Sequence, residues 1–280
     1  MREIMRLHLL LLAACLLSAP AFGEDRQFKN GEAVTIQPDK AYLMARTFEV
    51  KGKALSGTLR IMPILVRVLN EDELQQAEKA RQDDPKEWKD KLESNITEML
   101  AAEPYAQANG EVTLVTAVKP GTYVLAAVAY KGWALVETGL MNTSLCMGTV
   151  KFEAKAGTLT DLGEILVAFD DAPTTIPELA NVVAGKSTPA PYTFAVAIRP
   201  AGANTTIPAS LDSLPRVNAD YRAMPAFPNF AGAMLSRLAP VPDVLDYDKD
   251  GEVVDLKLSP LSAEAKADAS QTDAIPPGNQ

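Results

Sequence analysis

Histidine is almost missing from this sequence: among 280 residues there is one, His8. Cysteine is nearly as scarce, with Cys15 and Cys146 the two copies. These scarcities exclude chemistry. A Ser-His-Asp or Cys-His nucleophile needs an imidazole to take its proton, and His-ligated zinc needs imidazole donors. A disulfide framework needs paired cysteines. Basic residues are outnumbered, 27 Lys and Arg against 36 Asp and Glu, for a formal net charge of −9. Nucleic acid and anionic membrane surfaces are recognised by clustered Lys and Arg, so neither is expected as a partner. Long apolar runs are lacking too. The longest, Leu7 to Leu17, is about a dozen residues where a bilayer needs ~20, so no transmembrane span is expected in the mature chain.

That short run has the form of an export signal. Arg2 and Arg6 make a positive n-region, Leu7 to Leu17 an apolar h-region, and Ala21 and Gly23 are small residues spaced for cleavage between Gly23 and Glu24. Removing residues 1–23 takes away His8, Cys15, Arg2, Arg6 and Glu3. The mature chain then has no histidine, one cysteine (Cys146) and 25 basic against 35 acidic residues, a formal charge of −10. An alternative lies in Leu12-Ala13-Ala14-Cys15, which fits a lipobox with Cys15 acylated and made the new N-terminus. The expected address is the periplasm of a bacterial envelope, with a membrane-anchored lipoprotein as the alternative.

What remains reads as mainly β. In residues 41–51, Tyr42, Met44, Phe48 and Val50 fall on one face, interrupted by Arg46. Residues 59–69 are rich in Ile and Val, and Pro63 marks an edge or a bulged strand. Residues 111–119 alternate, with Val112, Leu114, Thr116 and Val118 on one side. Tyr123 to Tyr130 is apolar on both faces, as expected for a central strand covered on both sides. Trp133 to Met141 reads as a further strand ended by Asn142-Thr143. Thr149 to Ala156 alternates cleanly, and Gly157 turns the chain into Leu162 to Val167. Short strands with turn residues between them predict an antiparallel β-sandwich over residues 28–170.

A helical insertion is expected at residues 71–103. Glu71 to about Gln82 forms one helix. Asp84-Pro85-Lys86-Glu87 signals the start of a second, in which Trp88, Leu92, Ile96, Met99 and Leu100 recur at helical spacing. After Phe169 the composition changes, and 14 of the 20 prolines lie in residues 170–280. Proline interrupts ladders and helices, so residues 171–262 are expected to be mostly irregular and to wrap over the sandwich. One strand is expected near Thr193 to Arg199 and a short helix near Phe230 to Leu238. Residues 263–280 read as a disordered tail.

Lys119-Pro120-Gly121-Thr122-Tyr123-Val124-Leu125, followed by Tyr130-Lys131-Gly132, resembles the Pro-Gly-x-Tyr strand of prealbumin-like sandwiches of the carboxypeptidase-regulatory type. Phe152 to Gly157 with Leu162-Gly163-Glu164-Ile165 is similar to the closing strands of small secreted proteins of Gram-negative bacteria. The resemblance covers about 50 residues of mostly turn chemistry. It implies a sandwich fold and an accessory or binding module, and no activity. A fainter echo of the turn occurs at Pro38 to Leu43.

Two motifs carry possible chemistry. Ala180 to Ser187 matches a loose phosphate-loop pattern, but a buried strand before it and a helix after it are required, and Thr188-Pro189-Ala190-Pro191 forbids the helix. Asp246-Tyr247-Asp248-Lys249-Asp250-Gly251 followed by Glu252 resembles the first half of a calcium loop, with Lys257 where a bidentate Glu is needed. Asp246, Asp248, Asp250 and Glu252 are therefore either a polar surface turn or a Ca²⁺ site, the only cofactor the sequence suggests. Cys146 lies in a β-like run and is expected to be buried and inert. Three functional readings follow: a non-enzymatic envelope module acting on an unidentified envelope partner, a small-ligand or Ca²⁺-binding sandwich, and a His-independent carboxylate hydrolase.

Overall fold

Alternation in the long strands places one side chain row between two sheets and the next row on an outer face, and in this protein both rows are covered. Residues 112–118 and 123–129 are buried without a break. The computed structural model describes residues 26–29, 31–48, 50–51, 58–83, 96–97, 105–131, 141–169, 176–180, 194–202, 205–227 and 234–258. Among these the chain is mainly β.

The first sheet runs in the order β1 (Arg26–Gln27), β7 (Glu111–Val118), β2 (Ala41–Phe48), β11 (Leu159–Phe169) and β12 (Phe194–Arg199). β6 (Ala106–Ala108) pairs with β7, and β13 (Arg216–Asn218) with β11. The second sheet runs β14 (Arg222–Met224), β10 (Thr149–Ala154), β8 (Gly121–Lys131), β4 (Thr58–Arg67) and β3 (Val50–Lys51). β5 (Ile96–Thr97) pairs with β4; β9 (Met141–Ser144) pairs with β8 and with β15 (Met234–Leu235). A separate hairpin joins β16 (Leu245–Tyr247) to β17 (Val253–Asp255). Strands after residue 170 thus contribute to both sheets.

The core between the sheets joins Leu43, Leu114, Ile165 and Ile198 of the first to Ile61, Tyr123, Val150 and Phe152 of the second. Full burial of each such side chain contributes roughly 1.5–3 kcal/mol before entropic costs. Phe152 stacks on Tyr123 at 6.0 Å and meets Tyr221 edge-on at 5.8 Å. On the outer face of the first sheet, Tyr42, Met44, Val115 and Leu159 are covered by Phe28, Tyr105, Leu211 and Leu214.

Among the described strands pairing is mostly antiparallel; β2 with β11, β11 with β13, and β9 with β15 pair in parallel, and an isolated parallel bridge joins Val196 to Leu238. The parallel β2–β11 pair follows from topology. Between these strands the chain visits the second sheet and returns, which supplies the long crossover a parallel pair requires. β7 and β8 accordingly lie in different sheets, so Lys119-Pro120-Gly121 is a corner between sheets and not a hairpin. Gly121 has φ 145°, away from the roughly +80° of the type II turn that a Pro-Gly pair ordinarily suits.

The corner is pinned by the tyrosine of the motif, whose hydroxyl donates to the Lys119 carbonyl at 2.5 Å. Every tyrosine with a described side chain is used in this way. Tyr42 donates to Thr35 O at 2.9 Å, Tyr105 to Glu32 O at 2.9 Å, Tyr221 to Leu162 O at 2.6 Å and Tyr247 to Leu238 O at 2.7 Å. The Tyr42 bond at the fainter echo, Pro38 to Leu43, holds the segment leading into β2, but β1 and β2 lie in the same sheet, so no corner between sheets is pinned there. Of these tyrosine bonds, that of Tyr123, reaching four residues back, has the form of the tyrosine corner of β-sandwiches, whereas those of Tyr105 and Tyr221 join segments far apart in the chain. Burial pushes the Tyr221 and Tyr247 phenols well above their ordinary range, so both stay protonated donors. Tyr123→Phe keeps the packing and deletes one such bond. It is expected to lower stability by about 1–3 kcal/mol and Tm by several degrees; an unchanged Tm in a thermal melt contradicts the pinning role.

The helical insertion begins as expected with the helix Glu71–Asp83. Asn70 and Glu73 form a reciprocal capping box: Glu73 N donates to Asn70 Oδ1 at 2.9 Å and Asn70 N to Glu73 Oε2 at 3.1 Å. Arg67, at the end of β4, clamps the same carboxylate at 2.9 and 2.6 Å. The clamp holds Glu73 below the usual carboxylate range. Its contribution is therefore full at neutral pH and is lost as the pH falls through the lowered folded-state value.

Several local expectations are corrected. Ile96 is not on a helix: Ile96–Thr97 pairs with β4 as a strand, and the rest of the expected second helix lies outside the described residues. Periodicity alone cannot separate a short apolar strand from a helix segment. Asn142-Thr143 does not end a strand, because β9 runs through them on β8; residues 133–140 lie outside the described set. Met234–Leu235 is a strand on β9 and not helix. Thr149, on the opposite row of β10 from the core residues Val150, Phe152 and Ala154, is nonetheless fully buried and donates to Leu125 O at 2.8 Å. Pro63 is accommodated as expected, beside a register shift between Ile64 and Leu65. The tail 263–280 lies outside the described residues.

Candidate functional site

Buried charge is the chemically unusual feature of a mainly-β sandwich, and here it sits on the covered outer face of the first sheet. Arg46, the residue that interrupts the apolar row of β2, has a side chain only 3% exposed, and Asp161 of β11 is 0% exposed. Parallel pairing sets Asp161 beside Met44 and Arg46 beside Glu164. Arg46 Nη1 donates to Asp161 Oδ2 at 3.2 Å, and Arg216 Nη2 of β13 donates to the same oxygen at 2.5 Å. The second oxygen, Oδ1, accepts the Gly163 N–H at 2.8 Å. Asp161 is thereby tied to three segments of the chain.

Along the same strand the pattern continues toward solvent. Glu164 accepts from Arg199 Nη1 at 2.5 Å, and Arg199 Nε donates to Glu178 Oε1 at 2.6 Å. Arg199 holds Glu178 below the carboxylate range, and the two glutamates hold Arg199 above its ordinary value. Arg46, Arg199 and Arg216 thus stand against Asp161, Glu164 and Glu178, a row in which charge balances. The Nε atoms of Arg46 and Arg216 are buried without a protein partner, as are the hydroxyls of Thr47 and Thr160. The arrangement fastens strands together. No group in it is set up as a nucleophile or as an acid–base pair across a cleft.

Asp246 to Glu252 form the tip and flanks of the β16–β17 hairpin. Asp248 Oδ1 accepts the main-chain N–H groups of Asp250 and Glu252, both at 2.9 Å, and Asp246 Oδ1 accepts the Tyr247 N–H at 2.8 Å. Asp250 pairs with Lys249 at 3.1 Å. These carboxylates serve the turn, and among the described residues no three His, Cys, Asp or Glu side chains cluster as a metal site. The hairpin is fixed to the sandwich by Tyr247. Arg237 lies 4.8 Å from its ring centroid, and Gly148 passes so close that an added Cβ would come within 2.8 Å of the ring.

Cys146 is buried and free. Cys15, Gly23 and Glu24 lie outside the described residues, as do residues 181–187 of the phosphate-loop match. Ala180, its first residue, closes the helical turn Pro177–Ala180. In the sequence Arg46 stands out only as a break in an apolar row, and Asp161 and Arg216 do not stand out at all. That break was itself a signal, since a charge interrupting an apolar row in a strand has to be buried with a partner or the strand misassigned. Among the described residues no helix is long and apolar enough to cross a membrane. Comparisons with protein-family models, curated proteins and solved structures found no match to the chain.

Proposed function

We propose that this protein is exported to the bacterial envelope and works there as a non-enzymatic structural or interaction module on a prealbumin-like scaffold. The observation that carries the reading is where the leader ends relative to the fold. Cleavage between Gly23 and Glu24 would fall two residues before β1, whose Arg26 and Gln27 pair with Ala117 and Thr116 of β7. A processed chain would therefore begin where the sheet begins. The reading is supported further by the use of the tyrosine hydroxyls and the buried carboxylate on the protein's own main chain and arginines.

The test is expression of the full chain in a Gram-negative host, osmotic-shock release and N-terminal sequencing. Release with Glu24 at the N-terminus is expected. Labelled palmitate in the membrane fraction would transfer the reading to a lipoprotein anchored at Cys15, and a cytoplasmic chain retaining Met1 would overturn export altogether. Cross-linking and pull-down from envelope extracts then addresses the partner. A Ca²⁺-binding role for Asp246, Asp248, Asp250 and Glu252 is the competing reading. It requires that millimolar calcium raise Tm and that chelator reverse the rise.

A further inference from the structure

We propose that Asn109-Gly110 is a site of spontaneous chemical modification, at which the folded protein converts an asparagine to aspartate and isoaspartate. The pair forms the tip between β6 and β7, whose last and first residues, Ala108 and Glu111, face each other in register. Asn109 has φ 53° and Gly110 φ 81°, both left-handed, as a two-residue hairpin turn demands. Both residues are exposed, and an added Cβ at Gly110 would meet nothing within 4 Å. The tip is thus open to hydroxide and water.

The chemistry follows from that adjacency. The Gly110 nitrogen, on losing its proton, attacks Cγ of Asn109. The new C–N bond closes a five-membered imide, and the side-chain nitrogen leaves as ammonia. Water then opens the ring at either carbonyl. Opening at one restores the main chain with aspartate; opening at the other routes the main chain through Cβ and gives isoaspartate. The balance is one water consumed and one ammonia released, with no redox partner, and the site gains one negative charge next to Glu111.

The two products differ in what they do to the sheet. Aspartate tolerates the left-handed conformation, so β6 and β7 keep their register. Isoaspartate inserts an extra methylene into the main chain at a turn whose length fixes that register. It should loosen β6 and the neighbouring Tyr105, whose N–H donates to Thr113 O at 2.9 Å and whose ring lies in the cover over the first sheet.

The experiment holds the folded full-length protein in mildly alkaline and in neutral buffer, with a urea-unfolded sample and an Asn109→Gly variant alongside. Gly-Gly suits the same turn, so the variant removes the reacting amide and keeps the hairpin. Peptide mapping should show time-dependent amide-to-acid conversion at Asn109, faster at the higher pH and absent in Asn109→Gly. Labelling by isoaspartyl methyltransferase should report the isoaspartate fraction, and that fraction should melt earlier than the aspartate fraction separated by ion exchange. The folded chain should react more slowly than the unfolded one, because the left-handed turn has to open for attack. Conversion in urea with none at Asn109 in the folded chain would overturn the proposal.

Discussion

Asp161→Asn is expected to destabilise the protein by about 3–5 kcal/mol, the range found when one partner of a buried ion pair is removed. The substitution is nearly isosteric, so the loss would be electrostatic. Arg46, with a side chain 3% exposed, would keep its charge and lose its carboxylate, and Arg216 would lose a 2.5 Å bond to the same oxygen. Against a typical total stability of 5–15 kcal/mol the loss is large, and at about 2–4 °C per kcal/mol Tm should fall by roughly 6–20 °C. Urea denaturation should show a lower midpoint with an unchanged slope. Adding Arg46→Met to Asp161→Asn should recover part of the loss, because Met44, Tyr42 and Leu159 already make that face apolar and the stranded charge would be gone. An Asp161→Asn protein within 1 kcal/mol of the parent would show that the cluster is effectively solvated and that the row is not a fastening.

The contrast between what was visible in the chain and what was not runs along the same residues. Alternation at Val150, Phe152 and Ala154 identified β10 and its inward face, and the doubly apolar run from Tyr123 identified β8 as a covered central strand. Both are local patterns, set by a period of two. Arg46 was visible as an interruption of β2, but its partner lies 115 residues away. No local pattern states which strand will lie beside which, so the parallel β2–β11 pair and the cluster it creates were beyond reach. The Pro-Gly-x-Tyr motif was legible as a turn with a tyrosine nearby. That the turn joins two sheets, and that the tyrosine reaches back to hold it, depends on where β7 and β8 find their neighbours. The calcium-like spacing of Asp246 to Glu252 was legible as sequence. The main-chain N–H groups that Asp248 accepts are a property of the hairpin, which the spacing alone does not distinguish from a metal loop.

Gly163→Ala is the second substitution expected to act strongly, and for a reason that involves no charge. Gly163 lies where β11 shifts register against β2, between Asp161 and Glu164, with φ 78°. A non-glycine residue held in that region costs roughly 1–3 kcal/mol. Here a Cβ would also stand 2.2 Å from Arg199 O and 2.9 Å from Pro200 C. Both are main-chain atoms, so no rotamer change relieves the contact, and the end of β12 would have to move off β11. That movement would loosen the Glu164–Arg199 pairing at the start of the β11–β12 ladder, and the Gly163 N–H to Asp161 bond with it. Strain and overpacking together predict a loss of about 3–5 kcal/mol. Hydrogen exchange separates this from the Asp161 defect. Gly163→Ala should raise exchange first at β12, residues 194–199, whereas Asp161→Asn should raise it first where β13 meets β11. A Gly163→Ala protein that folds with parental Tm and leaves β12 protected would mean that the bulge can be built without glycine, and that the approach of Arg199 and Pro200 is loose enough to admit a methyl group.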